Sequence, residues 1–171
     1  MGKSLVKTLL LGTTLITTSF SASENFGFIG VGLGYQQVDP GIFEQDYTTF
    51  GIRVGQQNQE WRTTFGFEYE TDFSTVFLEA DYIFLDEMFG TPKLRPYLGM
   101  NINYIDYNNF FDYTKNITID EDGYSIGVNL GLIIYAGDRV DVDIGYHYNS
   151  VQGMDPVDVL QGVTLSIHYF Y

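Results

Sequence analysis

Two histidines are the residues of this sequence whose side chains are best suited to act as a general base or a metal ligand. His147 lies three residues before Ser150, so the stretch His147-Tyr148-Asn149-Ser150 contains an imidazole and a hydroxyl. His168 stands apart from both. Two separated histidines and no cysteine lack the donor spacing of a metal site. We therefore predict no catalytic residue, metal or cofactor, and expect both histidines to be hydrogen-bonded interior residues.

Charged residues form a second group, because they recur at alternate positions of several segments. Arg53, Arg62 and Arg95 lie on the side of their segments that is poor in large apolar residues. The acids on that same side are Glu68, Glu70, Glu79, Asp81, Asp141 and Asp143. Charges that leave water must be paired. These residues predict an interior ion-pair network, and the alternative is a net-acidic path that conducts cations.

The elements that carry these residues are predicted to be β-strands. After residue 22, apolar side chains recur at every second position in eight segments that turn-forming residues separate. Residues 29–36, for example, alternate large apolar side chains with Gly or Gln. Pro96 cannot donate a backbone hydrogen bond, so we place it at the beginning of the fifth strand.

The direction of the two strand faces decides the class of fold. Eight strands enclose a space only just wide enough for ordinary side chains, so the many large apolar residues cannot all point inward. The reverse arrangement, with apolar residues facing lipid and glycines, amides and charges facing inward, fits the pattern. Aromatic residues also form two girdles: Tyr35, Tyr69, Tyr104, Tyr124 and Tyr148 toward one end, and Trp61, Phe84, Tyr169 and Tyr171 toward the other. The sequence therefore predicts an all-β fold, an eight-stranded antiparallel up-and-down transmembrane β-barrel.

The first 22 residues have the composition of a cleaved signal peptide. Lys3 and Lys7 form a basic region, an apolar stretch follows, and small residues surround the expected cleavage position. We expect residues 1–22 to be the signal peptide and residues 23–171 to be one barrel domain. Without the two lysines the formal charge changes from −14 to −16, which argues against nucleic acid as a partner.

The connections between strands suggest an orientation. Long connections are predicted at residues 38–46, 107–122 and 150–158, and short turns at 56–60 and 136–139. Outer-membrane barrels have short periplasmic turns and longer extracellular loops, so the long connections are expected outside the cell. We expect 107–122 to be a solvated, mobile loop, since its acidic run lacks the spacing of a calcium-binding loop.

Three stretches of the sequence resemble the small outer-membrane β-barrel proteins that are similar to the OmpA transmembrane domain and OmpX, often labelled the porin family. They are the glycine-alternating residues 27–35, the run Arg95-Pro96-Tyr97-Leu98-Gly99, and the alternating terminal residues Val163, Leu165, Ile167, Tyr169 and Tyr171. The resemblance covers essentially the whole chain after residue 22. It implies the outer membrane of a Gram-negative bacterium, contact with outer-membrane lipid and lipopolysaccharide, and recognition of the terminal pattern by the barrel-assembly machinery.

The function that this resemblance implies is non-enzymatic. The barrel would contribute to envelope integrity, or to surface interaction through its extracellular loops with a partner that the sequence does not identify. One alternative is a narrow cation-favouring channel for small solutes. Another is a lipid A-modifying enzyme, because some eight-stranded barrels are lipid A deacylases. The stretch at His147 departs from the His-x-Ser motif of those enzymes, since Asn149 stands where serine would be.

Overall fold

Eight antiparallel strands form a closed barrel in the computed structural model, which describes residues 24–39, 45–71, 73–85, 90–112, 117–154 and 157–171. The strands are β1 Phe26–Asp39, β2 Gln45–Gln57, β3 Trp61–Tyr69, β4 Phe73–Ile83, β5 Leu94–Asp112, β6 Ile117–Gly137, β7 Val140–Gln152 and β8 Val159–Phe170. Each strand pairs with the next, and β8 pairs with β1. Within the described residues no helix is long and apolar enough to cross a membrane. The predicted signal peptide, residues 1–22, lies outside the described residues.

The barrel is inside out relative to a soluble protein, as predicted. Ile29 and Leu33 of β1 are exposed on its outer surface, whereas Gly30 and Gly32 between them are buried. The same alternation continues around the barrel, so the exterior is apolar and the interior holds arginines, carboxylates, amides and hydroxyls. This arrangement is stable only where the exterior faces lipid.

The strand register makes the barrel narrow and tilted. Following cross-strand pairs from Phe28 once around the barrel leads to Val38, so the strand register advances from position 28 to position 38 along β1. A stagger of this kind tilts the strands and fixes the radius of an eight-stranded barrel. The interior is therefore filled by side chains, and small residues are needed where large neighbours cross.

Gly66 of β3 illustrates this crowding and allows a first prediction. A Cβ atom at Gly66 would lie 2.2 Å from Cζ of Phe77, a buried ring on β4. Gly66→Ala is therefore expected to destabilise the barrel by about 1–3 kcal/mol, the usual cost of overpacking. Gly137→Ala is the matched control, because a Cβ at Gly137 would meet no atom within 4 Å. Urea unfolding of both variants in lipid vesicles is the measurement, and equal midpoints would contradict the packing described here.

The two ends of the barrel are named here by the connections between their strands. We call the end with connections 40–44, 70–72, 113–116 and 153–158 the loop end, and the end with connections 58–60, 84–93 and 138–139 the turn end. The two predicted aromatic girdles are on the outer surface, and all of their members are exposed. Their positions match the two interfaces of a bilayer.

Pro96 is the third residue of β5, which confirms its place at the beginning of that strand.

The prediction for residues 107–122 was wrong in extent. We expected a long loop, but β5 continues to Asp112 and β6 begins at Ile117, so most of this segment is a paired hairpin. Its residues include Ile, Thr and Phe, which favour strands, and the barrel below supplies the register from which the pairing continues. Only residues 113–116 separate the two strands, and these lie outside the described residues.

Candidate functional site

The first feature of the interior is an ion-pair network around Arg53, which we call the Arg53 network (Arg53, Glu68 and Glu79). Nη2 of Arg53 lies 3.0 Å from Oε1 of Glu68, and Nη1 lies 3.5 Å from Oε2 of Glu79. Gln36 and Thr49 donate hydrogen bonds of 2.5 and 3.1 Å to the other carboxylate oxygen of Glu68. Strands β1 to β4 thus all contribute to one buried polar cluster.

A second cluster, the Arg62 network (Arg62, Asp81 and Asp143), lies nearer the turn end. Nε of Arg62 donates to Oδ2 of Asp81 at 2.9 Å, and its Nη1 lies 2.6 Å from Oδ2 of Asp143. The arginine and both carboxylates are almost fully buried, at 2%, 0% and 2% side-chain exposure. Asn129 donates to Asp81, and the Tyr97 hydroxyl donates to Asp143 at 3.0 Å. The network therefore joins β3, β4, β5, β6 and β7.

Aromatic rings support both guanidinium groups. Cζ of Arg53 lies 4.9 Å from the ring centroid of Phe77, and Cζ of Arg62 lies 4.6 Å from that of Tyr97. A cation placed over a ring face in a water-poor site is stabilised by the ring quadrupole. The arginines are thus held by carboxylates and by packing together, which favours one fixed arrangement over exchange between partners.

Asp141 and the two histidines were also predicted to lie in the interior. Nδ1 of His168 donates a hydrogen bond to Oδ1 of Asp141 at 2.8 Å. Neither residue forms an ion pair with Arg53 or Arg62. His147 points inward and is half-buried, whereas Ser150 is exposed on the opposite face of β7. Because strand neighbours of opposite parity face opposite sides, the imidazole and this hydroxyl are not brought together.

Arg95 and Glu70 lie near the two ends of the barrel. Arg95 is the second residue of β5, at the turn end, and it donates to the backbone carbonyl oxygens of Leu85 and Pro92. Its distance along the strand from the acids explains this local arrangement. Glu70 follows the last residue of β3 at the loop end.

Above the networks, apolar side chains close the loop end. This loop-end lid consists of the buried residues Val38, Ile105, Tyr107, Val151, Met154, Val157 and Leu160, with Tyr47 packed against them. The rings of Tyr47 and Tyr107 meet edge to face at 5.6 Å. Gly153 has a φ of 88°, which a glycine adopts without strain, and the next residue, Met154, is buried in this lid.

A second apolar layer closes the turn end. This turn-end lid consists of Ile83, Tyr97 and Ile133, with Tyr135 packed against them. Phe28 of β1 is also fully buried at this level, and its ring lies 4.7 Å from that of His168. The interior is therefore a charged, hydrogen-bonded middle between two apolar layers, which we call the closed lumen.

This geometry matches known membrane proteins, although sequence comparison finds nothing. No protein-family model matches the sequence, and no curated protein matches it. Among solved structures, Neisserial surface protein A is similar with a TM-score of 0.66 and 14% identity over 85% of this chain and 97% of that one. OprH of Pseudomonas aeruginosa, an outer membrane protein, is similar with a TM-score of 0.60 and 16% identity over 85% and 99%. The N-terminal β-barrel domain of OprF from the same organism gives 0.57 and 12% over 85% and 100%.

The fold is that of a small outer-membrane β-barrel. The likeness spans nearly the whole length of each of these solved chains, and it extends to the closed eight-stranded topology. The predicted fold and the predicted outer-membrane location both agree with it. At these sequence identities the likeness shows the fold alone, and any activity has to be inferred from the residues of this chain.

The described interior carboxylates of the outer-membrane barrel face cationic side chains. Among the described residues, no group of three or more His, Asp or Glu side chains is arranged to hold an ion. The inward carboxylates are instead directed at Arg53, Arg62 and His168. The described interior of this barrel is therefore filled by paired charges and by buried apolar side chains.

Sequence reasoning missed both lids of the outer-membrane barrel. Val38, Ile105, Tyr107 and Val151 occupy inward positions near strand ends, and their apolar character was the signal that could have revealed the loop-end lid. The alternation could not show that Met154 is buried, because this residue lies after the end of β7 and follows a glycine with positive φ. The pairing of each carboxylate with one arginine rather than the other also depended on the register.

Proposed function

We propose that this protein is a non-enzymatic, non-conducting outer-membrane barrel that contributes to envelope integrity or surface interaction through its loop end. The observation that carries the proposal is the closed lumen, since two buried ion-pair networks lie between apolar lids. A barrel with such an interior acts as a rigid wall element, and its specific contacts must be made by its outer surface and its connections. The long hairpin of β5 and β6 provides the largest of these.

The orientation follows from the connections. Barrels of this kind have short periplasmic turns and longer extracellular extensions. Two of the three turn-end connections, 58–60 and 138–139, are short, and β5 and β6 extend past their outer neighbours at the loop end, so we place the loop end outside the cell. The apolar outer wall would then contact outer-membrane lipid, with lipopolysaccharide at the level of the upper girdle. We further propose that the alternating β8 residues Val163, Leu165 and Ile167, which are exposed on the outer wall, act with Tyr169 and Tyr171 as the signature read by the barrel-assembly machinery.

Two features weigh against the alternative functions. A cation channel would use the excess of inward acids over arginines, but the apolar lids interrupt any continuous polar path along the described lumen. A lipid A-modifying enzyme would need a base and a hydroxyl together on the lipid-facing side, whereas His147 and Ser150 face opposite sides of β7. A passive barrel needs neither feature.

A bacterial strain that lacks the gene tests the proposal. We expect the deletion strain to become more sensitive to detergents and large antibiotics, or to lose a surface interaction, with uptake of small hydrophilic solutes unchanged. Expression of the wild-type protein should restore the original behaviour. A specific defect in small-solute uptake that the wild-type gene restores would instead support a channel.

The same strains test the enzymatic alternative. Lipid A from the deletion strain, from the wild type and from a strain carrying His147→Ala is expected to have the same acyl and phosphate composition by mass spectrometry. A change in acylation that appears in both the deletion and the His147→Ala strain would contradict the non-enzymatic proposal.

A further inference from the structure

The cationic side chains that the structure describes outside the two networks all lie at the turn end. They are Lys93, Arg95 and Arg139. Arg95 donates to two backbone carbonyl oxygens of its own connection. Arg139 is exposed in the turn between β6 and β7, and no described carboxylate forms an ion pair with it, including that of the neighbouring Asp138. Its charge is therefore available to an anion from outside the chain.

The end of β8 holds Arg139 against the outer wall of the barrel. The backbone N–H of Phe170 donates to the carbonyl oxygen of Arg139 at 2.9 Å, and Tyr169 pairs with Val140, the residue after Arg139. Tyr169 is 47% exposed on the outer wall, and its hydroxyl oxygen accepts a hydrogen bond from the Arg139 side chain. Backbone and side chain together thus place the guanidinium beside the phenol ring of the turn-end girdle.

The hydrogen-bonding capacity of this pair determines the chemistry of a ligand. A guanidinium group has several N–H donors and no acceptor, and the bond to Tyr169 uses one donor. A tyrosine oxygen that accepts from Arg139 still has its own hydrogen to donate. The pair therefore offers donors from two side chains and one positive charge, which suits the oxygens of a phosphate group.

The position of the pair on the barrel determines the source of that phosphate. Tyr169 and Tyr171 belong to the turn-end girdle, and aromatic girdles lie at the level of the lipid head groups. The N–H of Tyr171 donates to the carbonyl oxygen of Gly27 at 3.0 Å, and its ring covers this glycine, since a Cβ there would lie 2.9 Å from Cζ of the ring. At the loop end the described exposed charges are carboxylates, such as those of Asp46 and Asp122. A phospholipid phosphate beside the turn-end girdle is thus the anion within reach of this arginine.

We propose that Arg139 and Tyr169 form a binding site for the phosphate group of a phospholipid in the leaflet at the turn end, with a preference for an anionic head group such as that of phosphatidylglycerol. An anionic lipid is favoured because a zwitterionic head group carries a positive charge that the arginine repels. The site fixes the turn between β6 and β7 at the membrane surface. This inference goes beyond the proposed function, because it concerns the turn end and does not depend on what the loop end contacts.

A tryptophan beside the site reports which lipid is bound there. Trp61→Phe combined with Tyr171→Trp leaves a single tryptophan two residues from Tyr169 on the same face of β8. The full chain is refolded into phosphatidylcholine vesicles that contain brominated phosphatidylglycerol, or into vesicles with the same fraction of brominated phosphatidylcholine. Bromine quenches tryptophan fluorescence on contact, so the ratio of the two quenching constants measures the local enrichment of the anionic lipid.

We expect this ratio to be about two, because an exposed ion pair is a modest interaction. Arg139→Gln should bring the ratio to about one, and Tyr169→Phe should lower it part of the way. Lys93→Gln is the charge-matched control, since it removes an exposed cation from the same end and should leave the ratio near two. A ratio of one in the parent protein, or equal losses from Arg139→Gln and Lys93→Gln, would overturn the proposal.

Two further controls separate a lipid site from general attraction and from free phosphate. Trp61 of the unaltered chain lies in the same girdle on β3, four strands from β7, and its quenching ratio should be about one. A ratio of two there as well would show a preference of the whole rim and would contradict a site at Arg139. Added inorganic phosphate should leave the preference beside β8 unchanged, because the acyl chains hold the lipid at the wall. Loss of the preference on adding phosphate would overturn the assignment to a lipid.

Discussion

Replacing Arg62 with methionine is expected to lower the free energy of unfolding of the barrel by about 3–5 kcal/mol, the cost of removing one partner from a buried ion-pair cluster. The side chain links β3 to Asp81 of β4 and Asp143 of β7, and both carboxylates are buried. Without the guanidinium, the carboxylates of Asp81 and Asp143 lose the ion pairs that the structure gives them, and two negative charges remain in the lumen. The effect comes from these uncompensated charges more than from the lost contacts.

Urea unfolding in lipid vesicles measures this loss. Trp61 is the single tryptophan of the chain and lies on the lipid-facing wall, so its fluorescence reports the transfer of β3 from lipid to water. Arg139→Met is the control, because Arg139 is exposed in the turn between β6 and β7. Equal unfolding midpoints for the two variants would contradict a structural role for the Arg62 network.

A triple variant separates charge from packing. Arg62→Met combined with Asp81→Asn and Asp143→Asn removes the stranded charges, and it should recover at least half of the stability that the single variant loses. If the triple variant is no more stable than the single one, the loss would come from packing around the arginine, including its contact with Tyr97.

Replacing Tyr107 with alanine is expected to open the loop-end lid and to cost about 3–5 kcal/mol of stability, the range for truncating a large buried aromatic residue. Tyr107 is buried and packs edge to face on Tyr47. Its removal leaves a gap in the lid, which also contains Ile105. Water would then reach the polar side chains below the lid.

An introduced cysteine measures this opening directly, because the chain contains no other cysteine. Ser125→Cys places a thiol on a buried inward position of β6, and Ser150→Cys makes the same change at an exposed position of β7. A charged, water-soluble thiol reagent should label position 150 rapidly and position 125 slowly. Adding Tyr107→Ala should accelerate labelling at position 125 by at least about tenfold and leave position 150 unchanged. Rapid labelling at position 125 without Tyr107→Ala would contradict a closed lid.

Much of the fold could be predicted because strand alternation reports it residue by residue. Glycines 30, 32 and 34 opposite Ile29, Val31 and Leu33 indicated an inward and an outward face, and the structure has both. The end of β5 was missed because alternation weakens where a strand leaves the membrane. Residues 108–112 lie beyond the last pair of β5 with β4, at Tyr107, and alternation is required only where a strand forms the wall between lipid and a crowded interior.

The sequence could predict which charged residues point into the barrel, and it could predict less well which of them lie close to one another. Parity placed Arg53, Arg62, Glu79 and Asp81 inside, where the structure has them. Parity could not show where Arg95 lies along the barrel axis, because it indicates only which face of the strand a residue occupies. Height depends on the stagger between strands, which is set by the whole closed register and not by any one segment.

The most direct test of a closed lumen is the electrical conductance of the full refolded chain in a planar lipid bilayer. The protein should first be shown to be folded by its resistance to unfolding in cold sodium dodecyl sulfate. We expect no conductance steps above those of the bare bilayer, because the two lids and the arginine networks would block the passage of ions through the barrel interior. Steady, cation-selective steps from the folded wild-type protein would contradict it, and would make the inward acids the lining of a channel.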